Sequence, residues 1–322
     1  MKKLAYLSLM FIISGCALAQ PEITGAPWNV TLKVVGEDGQ PVAAAHASVG
    51  YHKLPIPGEV LEDYRQGSAE LAGLTDTNGI FVASHTDASW SLGIDVQKSG
   101  YYSTHIGYGL LLPGQQDSAT VAENRNPTIT LVLKKIGKPI PMYAKRVNLR
   151  APVPDKPVGY DFEAGDWIAP YGKGISSDIL FAKEYYEKSP REYYSKITVT
   201  FPNAGDGLQV YKAPDSEKGS GLRSSHDVPA DGYQPELIRE ICSHPGQPIK
   251  CEYDPNRIYF FRVRTVLDEQ GKVRSALYGK IYGDFMQFDY YLNPTPNDRN
   301  VEFDPKQNLL NGLKSNEQVM QP

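Results

Sequence analysis

A chain of 322 residues is long enough for about two domains, each with its own core. Its formal net charge of −4, without any basic tract, gives it no general electrostatic pull on nucleic acid. Its 21 tyrosines, 29 glycines and 25 prolines favour sheets joined by turns over helices, and no apolar stretch beyond the leader is long enough to cross a membrane.

The first elements are a leader and its cleavage site. Lys2 and Lys3 form a basic start, and Leu4 to Gly15 form an apolar run of about 12 residues, short of the ~20 that a bilayer needs. Together they read as a secretory signal peptide over residues 1–19. Ile13-Ser14-Gly15-Cys16 resembles the bacterial lipobox. The resemblance implies diacylation of Cys16, cleavage before it and a stable membrane anchor. Ala17-Leu18-Ala19 instead fits ordinary cleavage before Gln20, which would leave a periplasmic or secreted protein.

The three cysteines are Cys16, Cys242 and Cys251. Lipidation of Cys16 would leave one pair, joined through the turn formers Pro245, Gly246 and Pro248. An oxidising compartment favours a Cys242–Cys251 disulfide, worth about 2–3 kcal/mol for so short a loop. The rival reading, a metal pair with His244, lacks a second Cys/His cluster.

Residues 28–136 read as a first domain of short strands. Trp28 to Val35 alternates and stops at a turn containing Gly36, Asp38, Gly39 and Pro41. In the next strand Ala45, Ala47, Val49 and Tyr51 share one face, and His46 and His52 share the other. Those histidines stand about 20 Å apart along an extended strand, too far for one metal. Asp76 to Gly79 turns the chain into Ile80 to Ala83. Leu92, Ile94 and Val96 mark another strand, and Ile129, Leu131 and Leu133 a last one. This spacing predicts an antiparallel β-sandwich.

The stretches "VVGEDGQPVAAAHASV", "GLTDTNGIFVAS" and "IDVQKSGYYS", in that order, resemble the carboxypeptidase regulatory-like family. The resemblance implies a seven-strand, prealbumin-like sandwich that supports folding, spacing or adhesion rather than catalysis. Related prealbumin-like hydrolases carry a C-terminal Tyr-Arg-Gly-Ser that this chain lacks.

The prolines at 139, 141, 152, 154 and 157 mark residues 137–160 as an extended linker, in which Met142 to Val147 could form one strand. Residues 161–310 then read as a second antiparallel β-rich domain, so the fold class is all-β. Asp161, Glu163 and Asp166, with Asp178 further on, are weak Ca²⁺ candidates without an EF-hand pattern. Tyr171-Gly172-Lys173-Gly174 lacks the spacing of a P-loop. Residues 178–201 suggest a long hairpin around Ser189-Pro190, or else a helix followed by a strand, and Pro235 to Cys242 a short helix. Residues 311–322 read as a flexible tail.

The clearest pattern is strand, turn, strand, turn, strand from Arg257 to Leu292. Keeping the apolar sets on one face allows a register with Phe261 beside Leu277 and Arg264 beside Arg274. The opposite face would then carry Arg262, Arg264, Arg274, Tyr278 and Lys280. Facing like charges call either for carboxylates from a neighbouring strand, such as Asp289 or Glu302, or for an anionic or glycan ligand.

No catalytic constellation stands out. Ser225-His226-Asp227 are adjacent, and triad members normally meet through the fold. Asp161/Glu163 and Asp284/Asp289 are the candidate acid pairs for a glycan-directed hydrolase. The favoured reading is a lipid-anchored protein of the bacterial cell envelope, facing the outer membrane or periplasm. It would be a non-catalytic spacer or binding module, without a cofactor and with a glycan or envelope protein as partner. The alternative is a periplasmic or secreted hydrolase with the sandwich as accessory domain.

Overall fold

The computed structural model describes residues 28–53, 69–86, 89–109, 126–189, 191–244, 250–251 and 256–322. The leader, Cys16 and the Pro245 to Pro248 turn lie outside the described residues.

The first sandwich contains β1 (Trp28–Gly36), β2 (His46–Lys53), β3 (Ala69–Leu74), β4 (Ile80–His85), β5 (Ser89–Gln97), β6 (Thr104–Gly109) and β7 (Thr128–Leu133). Sheets of order β4-β1-β7 and β3-β2-β5-β6 face each other. The β1–β4 pair is antiparallel, and β1–β7 is parallel. Trp28, Val30, Leu32 and Val34 from one sheet meet Ala47, Val49, Tyr51 and Ile94 from the other, all fully buried. The sandwich form thus follows from period-2 alternation, since each strand has one face for the core. The Thr-Asp-Thr-Asn-Gly stretch is a built turn. Asp76 Oδ1 accepts the N–H groups of Asn78 and Ile80. Gly79 has φ +73, and a Cβ there would lie 2.3 Å from the Val34 carbonyl oxygen, so only glycine fits.

The second unit contains β8 (Ile140–Asn148), β9 (Val158–Asp161), β10 (Asp166–Trp167), β11 (Ile179–Ser189), β12 (Glu192–Thr200), β13 (Gly207–Tyr211), β14 (Glu236–Ser243), β15 (Lys250–Cys251), β16 (Ile258–Leu267), β17 (Val273–Asp284), β18 (Gln287–Leu292) and β19 (Phe303–Asn308). One sheet runs β10-β9-β11-β12-β14-β15 and the other β13-β16-β17-β18-β8-β19. An aromatic core that includes Tyr160, Phe162, Phe181, Phe261, Phe285 and Tyr290 fills the space between them. A second core, with Met142, Ile258, Phe260, Tyr278, Tyr291 and Phe303, covers the far face of the β16–β17 sheet. That sheet is therefore buried on both faces.

Several expectations are corrected here. The proline-rich stretch contains the strand expected at Met142 to Val147, as β8, and is not extended linker throughout, because β8 pairs with β18 on one side and β19 on the other. Pro235 to Cys242 forms β14, not a helix, because it adds an antiparallel strand to β12. The tail is not frayed. Val319 is buried, Tyr291 Oη donates to the Gln321 carbonyl, and Glu317 pairs with Lys145 at 3.0 Å. The side chain of Cys251, and with it the expected Cys242–Cys251 disulfide, lies outside the described residues. Cys242 is a free thiol, and the ladder sets Cys242 opposite Lys250 and Cys251 opposite Ile241.

Candidate functional site

The predicted Arg/Tyr/Lys face does not exist as one surface. The β16–β17 register keeps the even spacing, but Phe261 faces Gly279 and Arg262 faces Tyr278, two residues from the expected pairing. The face behind them is buried, and Arg262 is satisfied from within the protein. Arg262 donates to the carbonyls of Gly205 and Ala230 and stacks 4.9 Å from the Tyr233 ring. Tyr278 is buried, Lys280 is fully buried, and Arg274 stays exposed at the strand's end.

Arg264 leaves that face altogether. It sits at a β-bulge between Val263 and Val266 with φ 53, a left-handed conformation that is rare for a non-glycine residue. Asp206 holds the bulge by accepting the N–H groups of Arg264 and Thr265. The bulge aims the guanidinium at the carboxylates proposed for Ca²⁺. It lies 2.7 Å from Asp178, 3.2 Å from Asp161 and 2.6 Å from Glu163. Asp161 also accepts four backbone N–H groups, from Glu163, Ala164, Ile175 and Ser176. Burial pushes Asp161 up, yet these bonds and Arg264 hold it below its ordinary value. Burial raises Asp178 against the pull of the same arginine. Asp166 accepts from Trp167 and Lys173 backbone N–H groups. An arginine therefore stands where the cation was expected, and among the described residues no group of three or more His, Cys, Asp or Glu side chains is arranged to hold a metal.

The candidate acid pairs are similarly occupied. Asp284 bonds Arg239, and Asp289 binds Arg146 through both oxygens at 2.7 and 2.8 Å. Ser225, His226 and Asp227 do not form a triad. Ser225 Oγ donates to the Asp227 carbonyl, while His226 faces Glu37 and Glu302.

What the sequence did not reveal is a polar seam between the two units. Glu302, almost fully buried, accepts from the Tyr102 hydroxyl at 2.6 Å, the Gly137 N–H at 2.8 Å and the Lys138 N–H at 2.6 Å. His226 Nδ1 stands 3.4 Å from the same carboxylate, and its Nε2 stands 3.3 Å from Glu37 in the first sandwich. Burial pushes Glu302 up, and these donors more than offset it, so its carboxyl lies below the ordinary value. Tyr102 is raised by burial and by Glu302.

Beside it lies a second buried cluster. Lys134, at the end of β7, donates to the Ser224 carbonyl at 2.8 Å and pairs with Glu217 at 2.7 Å. Lys280 Nζ is 3.4 Å from Ser224 Oγ and 4.8 Å from the ring centres of Tyr282 and Tyr291. Burial with so few partners drives Lys280 well below its ordinary range. Main-chain bonds extend the seam, from His105 N–H to Gly219 and from Gly221 N–H to Ser103. At Gly219, φ +83, a Cβ would fall 2.1 Å from the His105 carbonyl oxygen. The close approach of the two units requires glycine there.

Ser224 Oγ beside a depressed lysine has the elements of a nucleophile and base. However, Ser224 has no exposed surface, and the Tyr282 hydroxyl donates to its Oγ at 3.1 Å. Outside this sealed cluster a cleft of about 650 Å³ opens, lined by Tyr211, Lys212, Glu217, Lys218, Arg223 and Arg257 among others. Its residues come from the end of β13, the 3-10 turn at Asp215–Glu217 and the start of β16. The cleft is concave and carries more basic than acidic side chains, which suits an anionic group.

No protein-family model matches the chain, and no curated protein matches it in sequence. Among solved structures it is similar to 3-chlorocatechol 1,2-dioxygenase from Rhodococcus opacus 1CP. The TM-score is 0.25 and the identity 15%, over 36% of this chain and 62% of that one. It is also similar to the shaft pilin SpaA from Lactobacillus rhamnosus GG, with TM-score 0.23 and 13% identity over 57% of this chain and 90% of the pilin. A putative membrane-associated protein of unknown function from Bacteroides fragilis gives TM-score 0.21 and 10% identity, over 85% of this chain and 99% of that one.

Proposed function

We propose that this protein is an exported, lipid-anchored component of the bacterial cell envelope, in which a carboxypeptidase regulatory-like sandwich and a second β-unit act as one rigid, non-catalytic spacer. The observation that carries the reading is the Glu302 seam. A carboxylate buried between two units and bonded to Tyr102, Gly137 and Lys138 fixes their junction, as a spacer requires. The arginine-bound acids and the sealed Ser224 support a non-catalytic role. The lipobox-like Ile13-Ser14-Gly15-Cys16 supports the anchor. The basic cleft beside Arg223 is the surface offered to a glycan or envelope-protein partner.

Metabolic palmitate labelling with membrane fractionation tests the anchor. Label on the wild type, with Cys16→Ala unlabelled and released from membranes, supports it. An unlabelled wild type contradicts it.

A further inference from the structure

The hairpin of β11 and β12 extends beyond the core. Strand β9 pairs with β11 only from Ile179 to Phe181. The Asp155 N–H then donates to the Lys183 carbonyl at 3.2 Å. Beyond Lys183, among the described residues, no strand pairs with that side of β11. Among the described residues the edge from Glu184 to Lys188 is therefore open, and Tyr185 and Tyr186 on it are 58% and 59% exposed. Because the Lys183 carbonyl points away from β12, alternation along the strand points the main-chain groups of Tyr185 and Glu187 the same way. An open edge of this kind is a template for another strand.

The edge sequence names its occupant. Residues 183–188 read Lys-Glu-Tyr-Tyr-Glu-Lys, the same in both directions. Paired about its own centre, such a sequence sets like against like, but one residue out of that register an antiparallel second copy sets Lys188 against Glu184 in both directions, so the edge is complementary in charge to itself. We propose that the β11 edge pairs with the same edge of a second copy of this chain, in a two-fold dimer centred on Tyr186.

The register follows from exclusion. A two-fold between Tyr185 and Tyr186 would set Lys183 against the partner's Lys188 and Glu184 against the partner's Glu187, with bonding groups out of phase. A two-fold on Tyr185 would bring the partner's Ser189 opposite Phe181, where Val158 of β9 already sits. Centring on Tyr186 uses only the open residues. Glu184 then faces the partner's Lys188, and Lys188 faces the partner's Glu184. Tyr185 exchanges both main-chain hydrogen bonds with the partner's Glu187, and the Tyr186 rings lie side by side across the axis. The intrachain pairs Glu184–Lys196 and Lys188–Glu192 are partly exposed, so both side chains remain available to a partner.

Sedimentation of the purified chain carrying Cys16→Ala tests this without acyl chains driving association. A small edge interface binds weakly, so concentrations up to about 100 μM are needed. The dimer mass is expected there. Glu184→Lys places like charges opposite each other twice and should weaken association about tenfold or more. The swap Glu184→Lys/Lys188→Glu should restore it. Unchanged thermal midpoints confirm that the variants fold. A monomeric parent at ~100 μM would make Lys183 and Lys188 guards of an unpaired edge, and it overturns the proposal. So does a dimer indifferent to Glu184→Lys, or one that the swap fails to restore.

Discussion

The Tyr102 hydroxyl and the Glu302 carboxylate meet at 2.6 Å, 200 residues apart in sequence, with one on each side of the junction between the units. The same carboxylate accepts the N–H groups of Gly137 and Lys138, where the chain crosses from β7 to β8. Crossover and interface are thus held by one side chain.

Glu302 should make the junction sensitive to acid. Its folded value lies below the ordinary 4.5, because the bonds from Tyr102, Gly137 and Lys138 outweigh burial. Its contribution is complete above pH 4.5 and is lost as pH falls through the folded value. Glu302→Gln should cost about 1–3 kcal/mol at neutral pH. The gap between wild type and variant should narrow toward acid. Urea unfolding at both pH values measures it, and a gap that widens in acid contradicts the assignment.

Arg264 should be indispensable to the second unit. Arg264→Leu leaves Asp161, Glu163 and Asp178 together without their cation and should cost about 3–5 kcal/mol. Arg264→Lys keeps the charge but loses the fork that spans the carboxylates, so it should rescue only part. Near-neutral unfolding midpoints for Arg264→Leu would refute this role.

Lys280 should be replaceable. It folds with a depressed value, so the unfolded chain binds its proton more tightly, and the lysine opposes folding until pH rises toward its ordinary 10.5. Ser224 Oγ keeps the Tyr282 hydroxyl and the Ser225 carbonyl without it. Lys280→Met should therefore stabilise the protein by about 1–2 kcal/mol at neutral pH. Destabilisation would reveal a bond that the lysine makes and methionine cannot.

Cys242, as a free thiol opposite Lys250, should make the protein indifferent to reductant. Thermal midpoints with and without dithiothreitol should coincide. A drop on reduction, corresponding to about 2–3 kcal/mol, would restore the disulfide and require another register.

The first sandwich was legible because its signal is local. Ala45, Ala47, Val49 and Tyr51 alternate in sequence and are all fully buried. The Asp76–Gly79 turn carries its own chemistry. β3 and β6 are not among the expected strands, because the small residues of Ala69–Leu74 and Thr104–Gly109 give little apolar contrast between their two faces in sequence. The second unit misled in a different way. Period-2 alternation assigns residues to faces but does not reveal what covers each face. Arg262, Tyr278 and Lys280 were grouped on one face correctly, yet that face lies under a second core. Arg264 was misplaced because a bulge shifts the ladder without a glycine or proline to signal it. The seam was invisible because Tyr102, Glu302 and His226 meet only through the fold.

Differential scanning calorimetry tests the rigid junction most directly. Two units joined through Glu302 should unfold together, in one transition whose calorimetric and van't Hoff enthalpies agree, and Glu302→Ala should split it in two. Two separate transitions in the unmutated protein would mean that the sandwiches are independent, and the rigid spacer would be contradicted.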